Sequence, residues 1–230
     1  MASDIVTSHT TDPRNLKHPF TLLVSAPSQS GKSFWVRKLI SKCRTKISPP
    51  VDKIIYVNAT VSDDLQDTLT KVSPVPVRLT DNIETVRGDK NSNTLVVVDD
   101  LMNDVSVEKE LEAIFIRRAH HESISCIYLV QNLFHGTKTH RTISLNSNYL
   151  WLGANRRARD QIRTVAHQMF PGKTSFFLET YDDATTRKPF GYLFVDLRPD
   201  TPEQYRLKTD VLTDTPICYL QKEADQGRRR

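Results

Sequence analysis

The sequence predicts an α/β domain with a mainly parallel sheet and helices on both faces. Two observations carry this prediction. Six short apolar runs, bounded by polar residues, Gly or Pro, are typical of buried strands, and five segments show apolar residues at helical spacing. Strands that alternate with helices along a chain form mainly parallel sheets, and such sheets bind ligands at the carboxyl ends of their strands.

The predicted strands are FTLLVSA (20–26), KIIYVN (53–58), TLVVVDD (94–100), SCIYLVQNL (125–133), YLWLGAN (149–155) and GYLFVDL (191–197). The predicted helices are KSFWVRKLISKCR (32–44), DDLQDTLTKV (63–72), VEKELEAIFIRRAHH (107–121), RARDQIRTVAHQMF (157–170) and TSFFLETYDDAT (174–185). We expect one domain over residues 18–210, between a flexible N-terminal segment (1–17) and a polar, basic C-terminal tail (211–230).

Composition narrows the class of protein. The 230 residues suit one globular domain, and a net charge of +5 permits contact with a polyanion without requiring it. Cys43, Cys126 and Cys218 are odd in number and far apart, which favours packed thiols over a disulfide framework. Because no apolar run is long enough to cross a membrane and no secretion signal begins the chain, we expect an intracellular protein without a membrane contact.

A phosphate-binding loop is predicted between the first strand and the first helix. The segment APSQSGKS matches the P-loop pattern except that alanine stands where the first glycine is usual. Backbone N–H groups at the helix N-terminus would bind phosphates, Lys32 would reach the β- and γ-phosphates, and the Ser33 hydroxyl would bind Mg²⁺. The predicted cofactors are ATP and Mg²⁺. The predicted nucleotide-binding residues are Ala26, Pro27, Ser28, Gln29, Ser30, Gly31, Lys32 and Ser33.

An acidic pair ends the strand TLVVVDD, in the manner of a Walker B strand. Asp99 is predicted to hold the metal together with Ser33, while Asp100 is placed to orient or deprotonate an attacking water. A second acid of this kind favours hydrolysis. The alternative for Asp100 is a capping role at the start of the next helix.

Gln131 follows the next apolar strand, where a polar side chain would face the γ-phosphate and the attacking water. We predict that Gln131 senses hydrolysis. The alternative is a strand-end amide that binds loop backbone groups.

An arginine from a neighbouring subunit commonly stabilises charge that develops on the γ-phosphate. Arg117 and Arg118 end a predicted helix just before the Gln131 strand, and Arg118 is our candidate for this arginine finger. The alternative is that basic residues in a last helical turn complement the helix dipole and stay solvated.

Three longer segments resemble a known family. FIRRAHHESISCIYLVQNLF, HRTISLNSNYLWLGANRRARDQIRTVAHQMFP and KPFGYLFVDLRPDTPEQYRL follow the order seen in viral genome-packaging ATPases of the FtsK–HerA type. The chain is most similar to the poxvirus-like packaging ATPases of Polinton or Maverick elements and adintovirus-like viruses, over roughly residues 18 to 210.

The resemblance implies a RecA-like P-loop domain of the additional-strand type, and ATP hydrolysis that drives double-stranded DNA into a capsid. It also implies a homo-oligomeric ring with nucleotide between neighbours, and a capsid or portal-vertex protein as partner. The implied location is the host nucleus or a cytoplasmic virus factory, with transient attachment to the capsid vertex.

The resemblance also assigns roles by position. Lys32 and Ser33 take the P-loop roles, Asp99 and Asp100 take the Walker B roles, and Gln131 takes the sensor role. The resemblance does not assign the arginine finger to a single residue, because the matching region contains five arginines. These are Arg117, Arg118, Arg141, Arg156 and Arg157.

Two other functions stay open. A nucleoside or nucleotide kinase also begins with a P-loop, although the pair Asp99–Asp100 and Gln131 suit attack by water, and no arginine-rich lid is evident. A non-catalytic nucleotide-binding adaptor is the second alternative, because Ala26 and Asp100 depart from the usual residues.

Overall fold

The computed structural model describes residues 5–9, 15–99, 101, 105–134 and 138–222. It contains a ten-stranded sheet and a separate pair of two-residue parallel strands. The strands, in chain order, are β1 (Ile5–His9), β2 (Leu16–Lys17), β3 (Thr21–Ser25), β4 (Ile47–Ser48), β5 (Lys53–Asn58), β6 (Val77–Thr80), β7 (Thr94–Asp99), β8 (Ile124–Val130), β9 (Tyr149–Gly153), β10 (Tyr192–Asp196), β11 (Leu207–Thr209) and β12 (Ile217–Gln221).

The large sheet has a parallel half and an antiparallel half. Its order is β1-β12-β11-β10-β9-β3-β8-β7-β5-β6. Strands β9, β3, β8, β7, β5 and β6 run parallel, whereas each pairing from β9 through β10, β11 and β12 to β1 is antiparallel. The mainly parallel α/β sheet predicted from sequence is confirmed, and all six predicted strands are present.

One strand separates the predicted phosphate-loop strand from the predicted acidic strand. β8 pairs in parallel with β3 on one side and with β7 on the other. This inserted strand is the arrangement expected of the additional-strand type. It brings the carboxyl ends of β3, β8 and β7 to one edge of the sheet, where parallel sheets bind ligands.

Helices cover both faces, and the five predicted helices are present. The helices are α1 (Lys32–Ser41), α2 (Cys43–Lys46), α3 (Asp63–Val72), α4 (Val105–Ala113), α5 (Ala119–His121), α6 (Lys138–Leu145), α7 (Arg159–Met169) and α8 (Thr174–Thr186). Residues Ile114–Arg118 form a π-helical turn between α4 and α5, so the segment predicted as one α-helix is interrupted. Helix α6 was not predicted.

Apolar side chains that point alternately to the two faces of the sheet form a core on each face. Leu22 and Val24 of β3 pack with α1 and α3 on one face, while Leu23 points to the other face, against α4, α7 and α8. Successive strand side chains point to opposite faces, so a strand covered on both sides is apolar throughout. The result is three layers, with helices on either side of the sheet.

Both chain termini contribute strands that the sequence analysis assigned to a flexible segment and a tail. Strand β1 pairs antiparallel with β12, from Ile5 opposite Gln221 to His9 opposite Ile217. This corrects the prediction for residues 5–9 and 217–221, which belong to the sheet. Strand β12 also pairs with β11, whereas β1 is an edge strand whose named partner is β12. The pairing joins residues about 210 positions apart in sequence, so no local sequence pattern predicts it.

Two smaller predictions concern cysteines and membranes. Cys43, Cys126 and Cys218 are buried thiols outside any disulfide, as predicted. Within the described ranges, no helix is both long and apolar enough to span a membrane.

Candidate phosphate-binding site

The loop between β3 and α1 has the backbone shape of an anion site. Gln29 and Gly31 adopt positive φ angles of 62° and 87°. Left-handed residues of this kind are typical of loops whose backbone N–H groups form an anion-binding nest. Gly31 is the N-cap of α1, and it offers no side chain to the first N–H groups of the helix. The first turn carries no acidic residue either. The positive end of α1 therefore stays open to an anion.

A cavity of about 500 Å³ lies over this helix N-terminus. Residues 28–33 line it from the loop, Asp99 lines it from β7, and Gln131 lines it from the end of β8. Pockets of about 300–1,000 Å³ are usual for small-molecule ligands. The structure thus brings Lys32, Ser33, Asp99 and Gln131 to one cavity, at the predicted edge of the sheet.

Lys32 is held by the loop that it belongs to. Its ammonium donates to the backbone carbonyls of Ala26 and Pro27, the latter at 2.9 Å. Ala26 and Pro27 were predicted to bind the nucleotide; their carbonyls accept from Lys32, whereas the residues of the loop that line the cavity begin at Ser28. A nucleotide contact of Ala26 and Pro27 stays a prediction.

Ala26 replaces the first glycine of the pattern, and the neighbouring strand makes room for its methyl group. Ala26 is fully buried, and a Cβ added to Gly153 of β9 would lie 2.8 Å from the Ala26 Cβ. A real side chain at Gly153 would collide with Ala26. Gly153 therefore leaves the space that the Ala26 methyl group occupies.

Ser33 and Asp99 meet directly. The Ser33 hydroxyl donates to Asp99 Oδ2 at 2.9 Å, across the gap between α1 and β7. Both groups are oxygen ligands of the kind that Mg²⁺ prefers, and Mg²⁺ typically takes one or two protein oxygens beside phosphate and water. The residues that the sequence predicted for the metal therefore fit it in chemistry and in position.

Tyr56 is a site residue that the sequence analysis missed. Its buried hydroxyl donates to Asp99 Oδ2 at 2.7 Å, to the same oxygen that Ser33 contacts. Burial and the nearby Asp99 carboxylate raise the pKa of Tyr56, so the tyrosine stays protonated and remains a donor. Two donors on one oxygen fix the carboxylate and leave Oδ1 for another partner.

Arg37 and Asn58 also line the cavity without having been predicted. Arg37 lies one helical turn after Ser33, and Asn58 ends β5 opposite Asp99 in the parallel register. Gln131 is exposed at the cavity wall, and its sensor role stays a prediction. Asp100, the predicted water-activating acid, lies outside the described residues.

Arg118 is held by hydrogen bonds within this chain. Its guanidinium donates to Glu122 at 2.7 and 2.9 Å, to Glu110 at 2.8 Å and to the Val86 carbonyl at 2.6 Å. These hydrogen bonds raise the pKa of Arg118 and lower that of Glu122. The side chain is only 12% exposed. An arginine finger has to reach a neighbour, so this geometry disfavours Arg118, and the exposed Arg117 is the better candidate.

The parallel sheet, the inserted strand β8 and the loop before α1 define a P-loop α/β fold of the RecA-like type.

No family model matches the chain, and no curated protein matches it. Among solved structures, the chain is similar to the genome packaging NTPase B204 from Sulfolobus turreted icosahedral virus 2 in complex with ATP-gammaS. The identity is 13%, the TM-score is 0.49, and the match covers 86% of this chain and 97% of that one. A second similar structure is the Legionella pneumophila ATPase DotB, at 11% identity and TM-score 0.34, covering 73% of this chain and 53% of that one.

Proposed function

We propose that this protein is a Mg²⁺-dependent ATPase. The observation that carries the proposal is the contact between Ser33 and Asp99 beside the open N-terminus of α1. A triphosphate needs N–H donors, a cation and an ammonium group at one place. The cavity has the N–H groups at the start of α1, the Ser33 and Asp99 oxygens that can bind a cation, and Lys32.

Each residue has a defined task under this proposal. The N–H groups of residues 28–33 cradle the phosphates, and Lys32 exchanges the carbonyls of its own loop for phosphate oxygens. Ser33 and Asp99 hold Mg²⁺, which when bound neutralises charge that develops on the β- and γ-phosphates. Gln131 orients the attacking water, and Asp100 accepts its proton.

We propose further that hydrolysis drives double-stranded DNA into a capsid. This step rests on the resemblance of three sequence segments to the packaging ATPases of the FtsK–HerA type found in Polinton-like elements, and the charge of +5 agrees with a DNA partner. The active form would be a homo-oligomeric ring, because the finger arginine comes from a neighbouring subunit. A capsid or portal-vertex protein would be the second partner, in the host nucleus or a virus factory.

The test is steady-state ATP hydrolysis with Mg²⁺, with and without linear duplex DNA. We expect turnover that DNA stimulates, and a loss of about 100-fold or more in Lys32→Ala and in Asp100→Asn. The matched control is Lys109→Ala, which removes an exposed lysine of α4 and leaves turnover unchanged.

Three outcomes would contradict parts of the proposal. Nucleotide binding without turnover under every DNA condition would support the adaptor, and a phosphorylated nucleoside product would support the kinase. A specific rate that stays constant across a wide dilution series would contradict the ring, because ring assembly depends on subunit concentration.

A further inference from the structure

A second, aromatic cavity adjoins the phosphate-binding cavity. It has a volume of about 190 Å³ and shares Gly31, Phe34 and Phe190 with the larger cavity. Trp35 and Tyr192 add further aromatic surface. Because it is smaller than the roughly 300–1,000 Å³ of a whole-ligand pocket, it can take only part of a ligand whose remainder lies elsewhere.

Phe190 stands between the two cavities in an unusual conformation. It is 60% exposed, so it adds little to the core. It occupies the third position of the turn Lys188–Gly191, in which the Gly191 N–H donates to the Lys188 carbonyl at 3.0 Å. Its φ is +56°, where a turn with Pro189 at the second position usually has glycine or asparagine. Backbone strain at a residue other than glycine often marks a functional position.

The surroundings hold Phe190 against the phosphate loop. A Cβ added to Gly31 would lie 3.0 Å from the Cβ and ring atoms of Phe190, so ring and loop are in contact. On the other side, a Cβ added to Gly191 would lie 2.6 Å from the Ala184 carbonyl oxygen, which fixes the turn on α8. The ring therefore has a defined place next to the site of the phosphates.

The far wall of the second cavity is fixed as well. Tyr192 accepts a hydrogen bond from the Val211 N–H at 3.1 Å, and Thr213 N–H donates to the Asp210 carbonyl at 2.9 Å. Asp210 also pairs with Lys188, which joins the two turns across the cavity. The cavity thus has apolar ring faces and a charged rim.

We propose that this aromatic cavity binds the base of the nucleoside triphosphate, with Phe190 stacked on the base. The inference rests on the proposed function, because it extends outward from the phosphates at α1. A nucleobase has two apolar faces and a polar edge, which matches a pocket with aromatic walls and a charged rim. Stacking on an aromatic side chain accepts any base, so Phe190 sets affinity more than base choice.

The test compares a non-hydrolysable ATP analogue with inorganic triphosphate, which has the phosphates and no base. Binding of each is measured with Mg²⁺ for the wild type, Phe190→Ala and Phe190→Tyr. We expect Phe190→Ala to bind the ATP analogue at least about 10-fold more weakly and triphosphate equally well. Phe190→Tyr keeps the ring and should bind both ligands like the wild type. The control is Ile116→Ala, since Ile116 is 50% exposed and does not line either cavity.

A second variant guards against misfolding. Phe190→Asn removes the ring with a residue that tolerates positive φ, so it should unfold at the same or a higher temperature and still lose affinity for the analogue. Equal losses for both ligands, or none for the analogue, would overturn the base pocket while leaving the ATPase proposal intact. Failure of the wild type to bind either ligand would overturn the proposed function and the base pocket together.

Discussion

Two strands of the sheet end in an aspartate, and the two carboxylates have opposite surroundings. Asp99 ends β7 in the parallel half, at the edge of a cavity, with two hydroxyl donors on one of its oxygens. Asp196 ends β10 in the antiparallel half, where it is 1% exposed and lies 3.4 Å from both the Lys208 ammonium and Arg198 Nε. Because of these different partners, we expect the Asp99 carboxylate to bind a ligand and the Asp196 carboxylate to stabilise the fold by compensating buried positive charge.

The largest effect that we predict is on ATP turnover, and it should be seen on substitution of Asp99 but not of Asp196. Asp99→Asn keeps an oxygen for the hydroxyl donors and removes the charge that would hold Mg²⁺. We expect ATP turnover to fall by about 100-fold, while the free energy of unfolding changes by less than about 1 kcal/mol. Kinetics and urea unfolding on the same preparation check both values. Undiminished turnover would show that Asp99 does not hold the metal.

The same substitution in the antiparallel half should have the reverse effect. Asp196→Asn leaves Lys208 almost completely buried beside Arg198 without a countercharge, and burial already lowers the pKa of Lys208. We expect a loss of about 3 kcal/mol in unfolding free energy, with KM for ATP unchanged at temperatures where the variant is folded. Urea unfolding measures the loss.

A double variant tests whether the missing countercharge is the cause. Asp196→Asn combined with Lys208→Met removes the charged group on each side of the pair, so it should recover much of the lost stability. If the double variant were as unstable as the two single losses added together, Asp196 would act through packing instead of charge.

The sequence allowed the local parts of the site to be predicted. Lys32 and Ser33 lie in one short segment between a strand and a helix, and that order of elements already specifies an open helix N-terminus. Asp99 and Gln131 could be placed because parallel strands bring their carboxyl ends to one edge. No knowledge of the strand order was needed for these residues.

The other features of the site and the fold depend on contacts between segments that are distant in sequence, and no local sequence pattern predicts such contacts. Tyr56 lies in an apolar strand and looks like a core residue, and only the pairing of β5 with β7 brings its hydroxyl to Asp99. A buried tyrosine does need a partner for its hydroxyl, which was the one available signal. Phe190 lies in a turn whose exposure and φ follow from packing on α8. The pairing of β1 with β12 joins residues from opposite ends of the chain.

A smaller effect should come from the hydroxyl groups that position carboxylates in the two halves. Tyr56→Phe removes a 2.7 Å hydrogen bond to Asp99, and Tyr219→Phe removes one of the same length to Asp183. Loss of a group that orients a metal ligand typically weakens metal binding by about 10-fold or more. We therefore expect Tyr56→Phe to need about 10-fold more Mg²⁺ for half-maximal turnover and to recover at saturating Mg²⁺. Tyr219→Phe should leave the Mg²⁺ dependence unchanged. Equal Mg²⁺ curves for both variants would give Tyr56 a structural role only.

The smallest effect that we predict is a pH dependence of the free energy of unfolding. It arises at His18, which lies at the end of the parallel half opposite the cavity. His18 is buried, with Nδ1 2.6 Å from Ser125 Oγ and Nε2 3.0 Å from Ser123 Oγ. Burial lowers the pKa of His18, while the Asp52 carboxylate opposes that shift. Below pH 6.5 the unfolded chain then binds more protons at this histidine than the folded chain does, so its contribution to stability is lost as pH falls toward the folded pKa.

His18→Gln removes the titrating ring and keeps hydrogen-bonding groups, so the fall in unfolding free energy from pH 7.5 to pH 5.5 should be smaller than in the wild type. Urea unfolding at the two pH values measures that difference, and the other six histidines contribute equally to both proteins. A fall of the same size in the variant would contradict this prediction, because His18 would then bind the same number of protons in the folded and unfolded states. The pH dependence would in that case come from other titrating groups.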